Sequence, residues 1–125
     1  MRVRDAMHTG ILTTDASTPL RVVARLMVDQ RVHAVAVTDP GDGGRPWGIV
    51  SALDVAAAAA AAEEGTAGEA AATAVVTVSA DDPLEHAARV MVDQGLSHLI
   101  VIDPASGHPA GILSTLDVVS AYASR

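Results

Sequence analysis

An internal repeat constrains this sequence more strongly than any other feature. When the chain is shifted by 64 residues, 15 of the 38 positions in Val3–Pro40 are identical to those in Ala67–Pro104, and only three of these are alanine pairs. After a one-residue deletion, Gly44–Val55 matches Gly107–Val118 at 8 of 12 positions. The sequence therefore contains two copies of one repeat unit, residues 1–60 and residues 61–125.

The length of each copy limits how it can fold. A copy of about 60 residues buries too little apolar surface to be comfortably stable alone. The whole chain has 125 residues, half of them hydrophobic, with no Phe, one Trp and one Tyr, so the core must be aliphatic. We therefore expect the two copies to share one α/β (α+β) domain, with two small mixed sheets and pseudo-twofold symmetry.

Each copy carries an amphipathic helix among short β-rich segments. Apolar residues recur at helical spacing in Leu20–Val28 and Leu84–Val92, and we call these the stripe helices. Thr18 and Asp82 precede prolines and are predicted N-caps, with Glu85 completing a capping box in the second copy. Strands are predicted at Ile11–Thr14, Ala34–Thr38, Gly48–Val50, Val75–Val78, Leu99–Ile102 and Gly111–Leu113.

A second helix closes each copy, beginning near Ser51 in the first and near Ser114 in the second. The first closing helix is predicted to run through an alanine tract to Glu64 and to stop at Gly65. The segment Thr66–Glu69 then predicts a capping box that opens a short helix. Each copy thus has the order short helix, then β-α-β-β-α.

Composition excludes several function classes. The net charge is −7 and there is no lysine and no cysteine. Nucleic acids and anionic membranes bind clustered Lys and Arg, so neither is an expected partner. The five histidines lack metal-ligand spacing, and no nucleophile with a base is recognisable, so neither a metal site nor catalytic residues are expected. The longest apolar tract has eight residues, and a cytoplasmic, non-enzymatic protein without a required cofactor is predicted.

Two heptapeptides at equivalent positions resemble the signature that closes cystathionine-β-synthase-type (CBS) domains. They are Gly48-Ile49-Val50-Ser51-Ala52-Leu53-Asp54 and Gly111-Ile112-Leu113-Ser114-Thr115-Leu116-Asp117. The strands before them and the entry segment Arg4–Met7 are also similar to that family. Tandem pairs of such domains form Bateman modules, many of which bind adenosine-containing ligands between the two copies.

The resemblance implies two binding sites, each combining the signature of one copy with strands of the other. One site would comprise Ile49, Ser51, Asp54, Val75, Val76, Leu96, Ser97 and His98. The other would comprise Ile112, Ser114, Asp117, Gly10, Leu12, Val32, His33 and Ala34. Apolar members would hold the base, the aspartate would accept hydrogen bonds from the ribose hydroxyls, and the serine at the helix N-terminus would lie near a phosphate.

The expected ligand is AMP-like, with adenosine and S-adenosylmethionine as further possibilities. Few cations accompany the signatures, so a triphosphate is disfavoured, and the Asp54 site is favoured because His98 could supply a positive charge. A structural interpretation of the same residues stays open. Ser51 and Ser114 would cap any helix, and a carboxylate at the third helical position complements the helix dipole.

Three functions remain at this point, and one of them, an enzyme on this scaffold, finds little support in the residues. Another is a ligand-sensing regulatory module that acts on an unknown regulated protein. It would form a homodimer through helix faces around Val22, Leu26 and Val90 and through the helices after Ser51 and Ser114. The third is a homodimeric interaction or scaffold protein whose ligand clefts are vestigial. Trp47 is either a dimer contact or a rim residue.

Overall fold

The computed structural model of the protein describes residues 1–39, 46–71 and 75–125. Six helices and seven strands occur in these ranges, in an order that repeats. They are α1 (Val3–Ala6), β1 (His8–Thr9), β2 (Thr13–Asp15), α2 (Leu20–Gln30), β3 (Ala34–Thr38), β4 (Pro46–Ser51), α3 (Ala52–Ala60), α4 (Ala67–Ala70), β5 (Thr77–Ser79), α5 (Leu84–Gln94), β6 (His98–Ile102), β7 (Pro109–Ser114) and α6 (Thr115–Ala123).

The chain divides into two compact units. The central unit is Leu12–Val75, and the split unit combines Met1–Ile11 with Val76–Arg125. The first eleven residues thus pack with the second repeat rather than with the first. The repeat boundary near residue 60 therefore describes the sequence, and whether it bounds a folding unit stays a prediction.

The central unit has a three-stranded mixed sheet in the order β2-β3-β4. β3 lies in the middle, parallel to β2 and antiparallel to β4, with Ala34 opposite Ser51. Four successive residues of β3 are buried, as expected for a strand covered on both faces. The stripe helix α2 adds Leu20, Val23 and Met27 to this core.

The split unit repeats this arrangement and adds one strand. Its sheet has the order β1-β7-β6-β5, with β6 parallel to β5 and antiparallel to β7. Met91 is 4% exposed and Met27 of the central unit is 6% exposed, so the two repeated methionines occupy equivalent buried positions. The predicted repeat of mixed sheets and helices is confirmed. β2 and β5 begin two residues later than predicted.

A short helix from the opposite repeat completes each unit through backbone hydrogen bonds. In the split unit, Val3 N–H donates to the carbonyl of Asp82 and Leu84 N–H donates to that of Met1. In the central unit the equivalent bonds run from Ala67 N–H to Thr18 and from Leu20 N–H to Gly65. Val3 and Ala67 are both fully buried. The repeats therefore exchange α1 and α4.

This exchange explains why the predicted N-caps of the stripe helices were wrong. The N-cap residues are Pro19 and Pro83 in extended conformation, and neither Thr18 nor Asp82 caps its helix through a side chain. The first helical N–H groups instead donate to carbonyls from distant segments. Asp82 accepts the Ser79 N–H in the preceding turn, so Glu85 has no capping box to complete.

The closing helix of the central unit ends at Ala60, not at Glu64 as predicted. Ala62 adopts a left-handed conformation with φ of 53°. Its N–H donates to the Ala59 carbonyl, and Glu63 N–H donates to that of Ala58, which is the hydrogen-bond pattern of a Schellman motif. The early turn brings the chain back so that Gly65 can accept the Leu20 N–H. The predicted capping box of Thr66 and Glu69 is confirmed.

The ends of the two stripe helices allow a stability prediction. Gly95 closes α5 with φ of 65°, and Arg31 closes α2 with φ of 55°, although a side chain disfavours this conformation. We expect Arg31→Gly to raise the free energy of unfolding by about 0.5–1 kcal/mol. Urea denaturation measures it.

The matched control is Gly95→Ala, which should lower stability by a similar amount. A Cβ at Gly95 would meet no atom within 4 Å, so the expected loss of stability comes from the left-handed backbone conformation alone. Equal stability of the wild type and both variants would contradict this account of the helix ends.

Candidate functional site

The signature of the central unit forms the turn from β4 into α3. Ser51 is the N-cap, and its backbone N–H donates to Oδ2 of Asp54 at 2.8 Å. The Asp54 N–H in turn donates to Oγ of Ser51 at 3.3 Å. This reciprocal pair is a capping box, and it fixes the carboxylate at the start of the helix. The predicted N-cap role of Ser51 is confirmed.

The strand beside this turn brings further predicted site residues to the signature. Ala34 is the register partner of Ser51, and the Ala52 N–H donates to the His33 carbonyl at 2.8 Å. Side chains alternate along β4, so Ile49 and Ser51 share the face opposite the buried Val50. The central unit therefore presents Ile49, Ser51 and Asp54 next to the start of β3.

The split unit repeats this geometry. Ser114 N–H donates to Oδ2 of Asp117 at 2.8 Å, and the Asp117 N–H donates to Oγ of Ser114 at 3.2 Å. His98 is the register partner of Ser114, and the Thr115 N–H donates to the Ser97 carbonyl. Nδ1 of His98 lies 3.0 Å from Oγ of Ser97. Ser97 and His98 are thus beside the second signature.

The helix N-termini are less available to a phosphate than the sequence suggests. At α3 the amides of Ser51, Ala52 and Asp54 all donate to protein acceptors, leaving at most the Leu53 N–H for a ligand. The amides of Ser114, Thr115 and Asp117 are engaged in the same way at α6. A phosphate beside either serine would therefore find few free N–H groups, because the capping boxes and the adjacent strands provide acceptors for them.

The two signature aspartates differ in their surroundings. Asp117 is 7% exposed, and its Oδ1 lies 3.0 Å from Nδ1 of His8. Asp54 is partly buried, and both hydrogen bonds to its carboxylate go to Oδ2, from the backbone N–H and the hydroxyl of Ser51. In the described ranges no hydrogen bond reaches Oδ1 of Asp54. Of the two signature aspartates, Asp54 is thus the one with a carboxylate oxygen that no described residue engages.

Gly111, the first residue of the signature in the split unit, lies against another segment of the same chain, strand β1. β1 pairs antiparallel with β7, with Thr9 opposite Gly111 and His8 opposite Ile112. A Cβ at Gly111 would lie 2.1 Å from the His8 carbonyl oxygen, which no side chain can tolerate. The absence of a side chain at Gly111 thus permits the close approach of β1.

Several of the remaining predicted site residues pack against the hydrophobic cores of the two units. Leu12 and Val32 pack against the core of the central unit, and Val76 and Leu96 against that of the split unit. Gly10 is exposed with φ of 80°. Each predicted cleft draws on both units, with Val75 and Leu12 in the central unit and Gly10 and Val76 in the split unit, so its assembly stays a prediction.

His8 is the residue near a signature that sequence reasoning missed. It lies outside both heptapeptides, and the repeat gives no hint of it, because the 64-residue shift pairs His8 with Ala72. The difference at this position does not stand out, because 23 of the 38 aligned positions in Val3–Pro40 differ between the copies. The contact with Asp117 depends on the exchange of the N-terminal segment, which the sequence did not show.

A small cavity of about 260 Å³ borders Asp54 within the central unit. Its other lining residues include Glu63, Glu64 and Glu69, and Asp54 is the one predicted site residue among them. Known ligand pockets are about 300–1,000 Å³, so this cavity is too small for a nucleoside. Its acidic lining makes this side of Asp54 unfavourable for phosphate.

The structure also bears on Trp47, on metal binding and on membrane-spanning helices. Trp47 is partly buried against the core of the central unit, and within the described ranges its Nε1 is buried without a hydrogen-bond partner. No group of three His, Asp or Glu residues suited to a metal ion occurs among the described residues. None of the helices described is long and apolar enough to cross a membrane.

Comparisons with known proteins agree with the repeat. The model of the CBS domain family matches residues 3–61 and again 67–124. The homoserine O-acetyltransferase of Methanosphaerula palustris is 32% identical over 113 residues, which are 90% of this chain and 22% of that protein. The chain therefore spans about a fifth of this relative's length.

Solved structures of CBS domain pairs have the same fold. The CBS domain pair of protein MJ0100, in complex with 5′-methylthioadenosine and S-adenosyl-L-methionine, has a TM-score of 0.88 at 22% identity, covering 99% of this chain and 97% of that one. A CBS domain protein from Pyrobaculum aerophilum complexed with AMP has a TM-score of 0.83 at 26% identity, covering 94% and 89%. CBSX2 in complex with AMP has a TM-score of 0.79 at 25% identity, covering 98% and 96%.

The capping boxes allow a prediction about the structural share of the signature. Ser51→Ala and Ser114→Ala each remove the acceptor of the Asp54 or Asp117 N–H. Each should lower the free energy of unfolding by about 1 kcal/mol, the usual effect of losing an N-cap. The control is Ser120→Ala at an exposed position of α6, which should cost nothing because alanine favours helix. Chemical denaturation of the four proteins measures the difference, and a loss at Ser120 equal to that at the caps would contradict it.

Proposed function

The chain belongs to the CBS-domain family, with one domain in each half, and on that premise we propose that it is a non-catalytic regulatory module that binds an AMP-like, adenosine-containing ligand. Members of this fold class have been solved with AMP, 5′-methylthioadenosine and S-adenosyl-L-methionine. The proposed setting is the cytoplasm, where such ligands are present.

The state of Asp54 is the observation that carries the proposal. Its carboxylate is held at the start of α3 through Oδ2, while Oδ1 accepts no hydrogen bond from the described residues. A fixed carboxylate with an available oxygen suits the adjacent hydroxyls of a ribose. Ile49 lies on the same strand face as Ser51 and supplies apolar surface for a base.

The charges around Asp54 favour a ligand with little negative charge. Most amides at the α3 N-terminus already have acceptors, and Glu63, Glu64 and Glu69 line the cavity beside Asp54. The chain as a whole carries −7. Adenosine, AMP or the cationic S-adenosylmethionine therefore fit better than a triphosphate, which needs several nearby cations.

We also propose that the module is a homodimer that signals to a separate protein. In the split unit, a groove of about 670 Å³ runs along α5 and α6 and includes Val92 and Tyr122. In the central unit, a groove of about 460 Å³ runs along α2 and α3 and includes Val22. Val22 is 55% and Tyr122 is 68% exposed, whereas Leu26 and Val90 pack partly against the cores.

A scaffold protein with vestigial clefts is the second candidate. It is favoured by the same exposed helix faces and by the structural use of both signatures as capping boxes. It differs from the first candidate in one measurable respect, because it binds no adenosine-containing ligand.

Ligand binding is tested by isothermal titration of the purified protein with adenosine, AMP, S-adenosylmethionine and ATP. We expect AMP to bind more tightly than ATP. Asp54→Asn keeps a capping acceptor but loses the charge, and should weaken AMP binding about tenfold, or roughly 1.5 kcal/mol.

Asp103→Asn, at a turn acceptor between β6 and β7, is the control and should leave affinity unchanged. If the wild type binds none of these ligands at millimolar concentration, the ligand-binding function is refuted and the scaffold function is supported.

Self-association is tested by light scattering at tens of micromolar. The expected mass is twice the 12.7 kDa of one chain. Tyr122→Asp places a charge on the α5–α6 groove and should shift the protein towards monomer. Ser106→Asp, in the turn between β6 and β7, should leave the mass unchanged. A monomeric wild type would refute the homodimer.

A further inference from the structure

We infer that His8 makes the two signatures unequal: it engages Asp117 and restricts the module to one adenosine-containing ligand per chain, taken by the Asp54 signature. This inference rests on the proposed function and deepens it. It assigns a specificity-determining role to a residue outside both signatures.

The geometry at Asp117 leaves no place for a ribose. Oδ2 accepts the Ser114 N–H at 2.8 Å, and Oδ1 lies 3.0 Å from Nδ1 of His8. The side chain of Asp117 is 6% exposed, so water and ligand have little access to its oxygens. The imidazole of His8 thus makes the contact that a ribose hydroxyl would make.

The backbone around His8 holds it in this position. β1 pairs with β7 at His8 and Thr9, and Gly111 permits the close approach of the His8 carbonyl. The preceding helix α1 is anchored by the fully buried Val3, by the Arg4 N–H donating to the Ala80 carbonyl and by the ion pair between Arg4 and Asp81. His8 therefore lies beside Asp117 because its strand is fixed there, even though its own side chain is 77% exposed.

Among the described residues of the central unit, no side chain contacts Oδ1 of Asp54 as His8 contacts Oδ1 of Asp117. In the sequence the 64-residue shift pairs His8 with Ala72, and alanine has no polar side-chain atom. The two signatures share the serine, the leucine and the aspartate, so the signatures alone do not distinguish the sites. The contact between His8 and Asp117 distinguishes the two sites.

Stoichiometry with AMP as the probe tests this inference. Isothermal titration and native mass spectrometry should give one AMP per chain for the wild type and two for His8→Ala, which releases Oδ1 of Asp117. His8→Asn retains an N–H donor and should stay at one. The double variant His8→Ala/Asp117→Asn should return to one, because the gained site depends on the Asp117 carboxylate.

His86→Ala is the matched control, since His86 is another exposed histidine close to an aspartate, 4.0 Å from Asp82, and should bind one AMP. Two AMP molecules on the wild type, or one on His8→Ala with an unchanged melting temperature, would overturn the inference while leaving the proposed function intact. No AMP, adenosine or S-adenosylmethionine on the wild type would overturn both.

Discussion

The reciprocal exchange of short helices is the constraint on which the rest of the structure depends. Val3 and Ala67 are buried in the sheets of opposite repeats, and each is fixed by a backbone hydrogen bond to the turn before a stripe helix. Because the stripe helices begin at proline N-caps without side-chain caps, their first amides need these distant carbonyls. Neither repeat therefore completes its unit alone.

This exchange gives two matching signatures different chemistry. The strand β1 follows α1 into the split unit, extends its sheet to four strands and brings His8 to Asp117. Asp54 has the same capping box but keeps an oxygen that no described residue engages. In one copy of the repeated motif the aspartate therefore contacts a histidine of the protein, and in the other copy one carboxylate oxygen has no partner among the described residues.

The signature residues serve the fold as well as the proposed ligand. Ser51 and Asp54 satisfy amides that a helix N-terminus would otherwise leave without partners. An adenosine-containing ligand would therefore bind to a carboxylate whose position is already fixed, which lowers the ordering cost of binding. The same hydrogen bonds limit phosphate binding, because most of the helix amides that would contact a phosphate already have acceptors.

Most of the fold could be predicted from the sequence, and most errors have one cause. Strand β3, the buried Met27 and Met91, the N-caps at Ser51 and Ser114 and the capping box at Thr66 follow from local patterns and agree with the structure. The N-caps predicted at Thr18 and Asp82 were wrong, because carbonyls from distant segments accept the first helical N–H groups. The predicted end of the alanine-tract helix was wrong, because a Schellman motif at Ala62 stops the helix before Gly65.

By itself the sequence determined the repeat, the order of the elements apart from β1, and the caps of α3, α4 and α6, because these depend on periodicity and on contacts between residues three or four positions apart. The tertiary structure decided which unit receives α1 and α4, how deeply Asp117 is buried and that His8 contacts it. Those outcomes depend on pairing between segments far apart in the chain, such as β1 with β7, and no local pattern encodes that pairing.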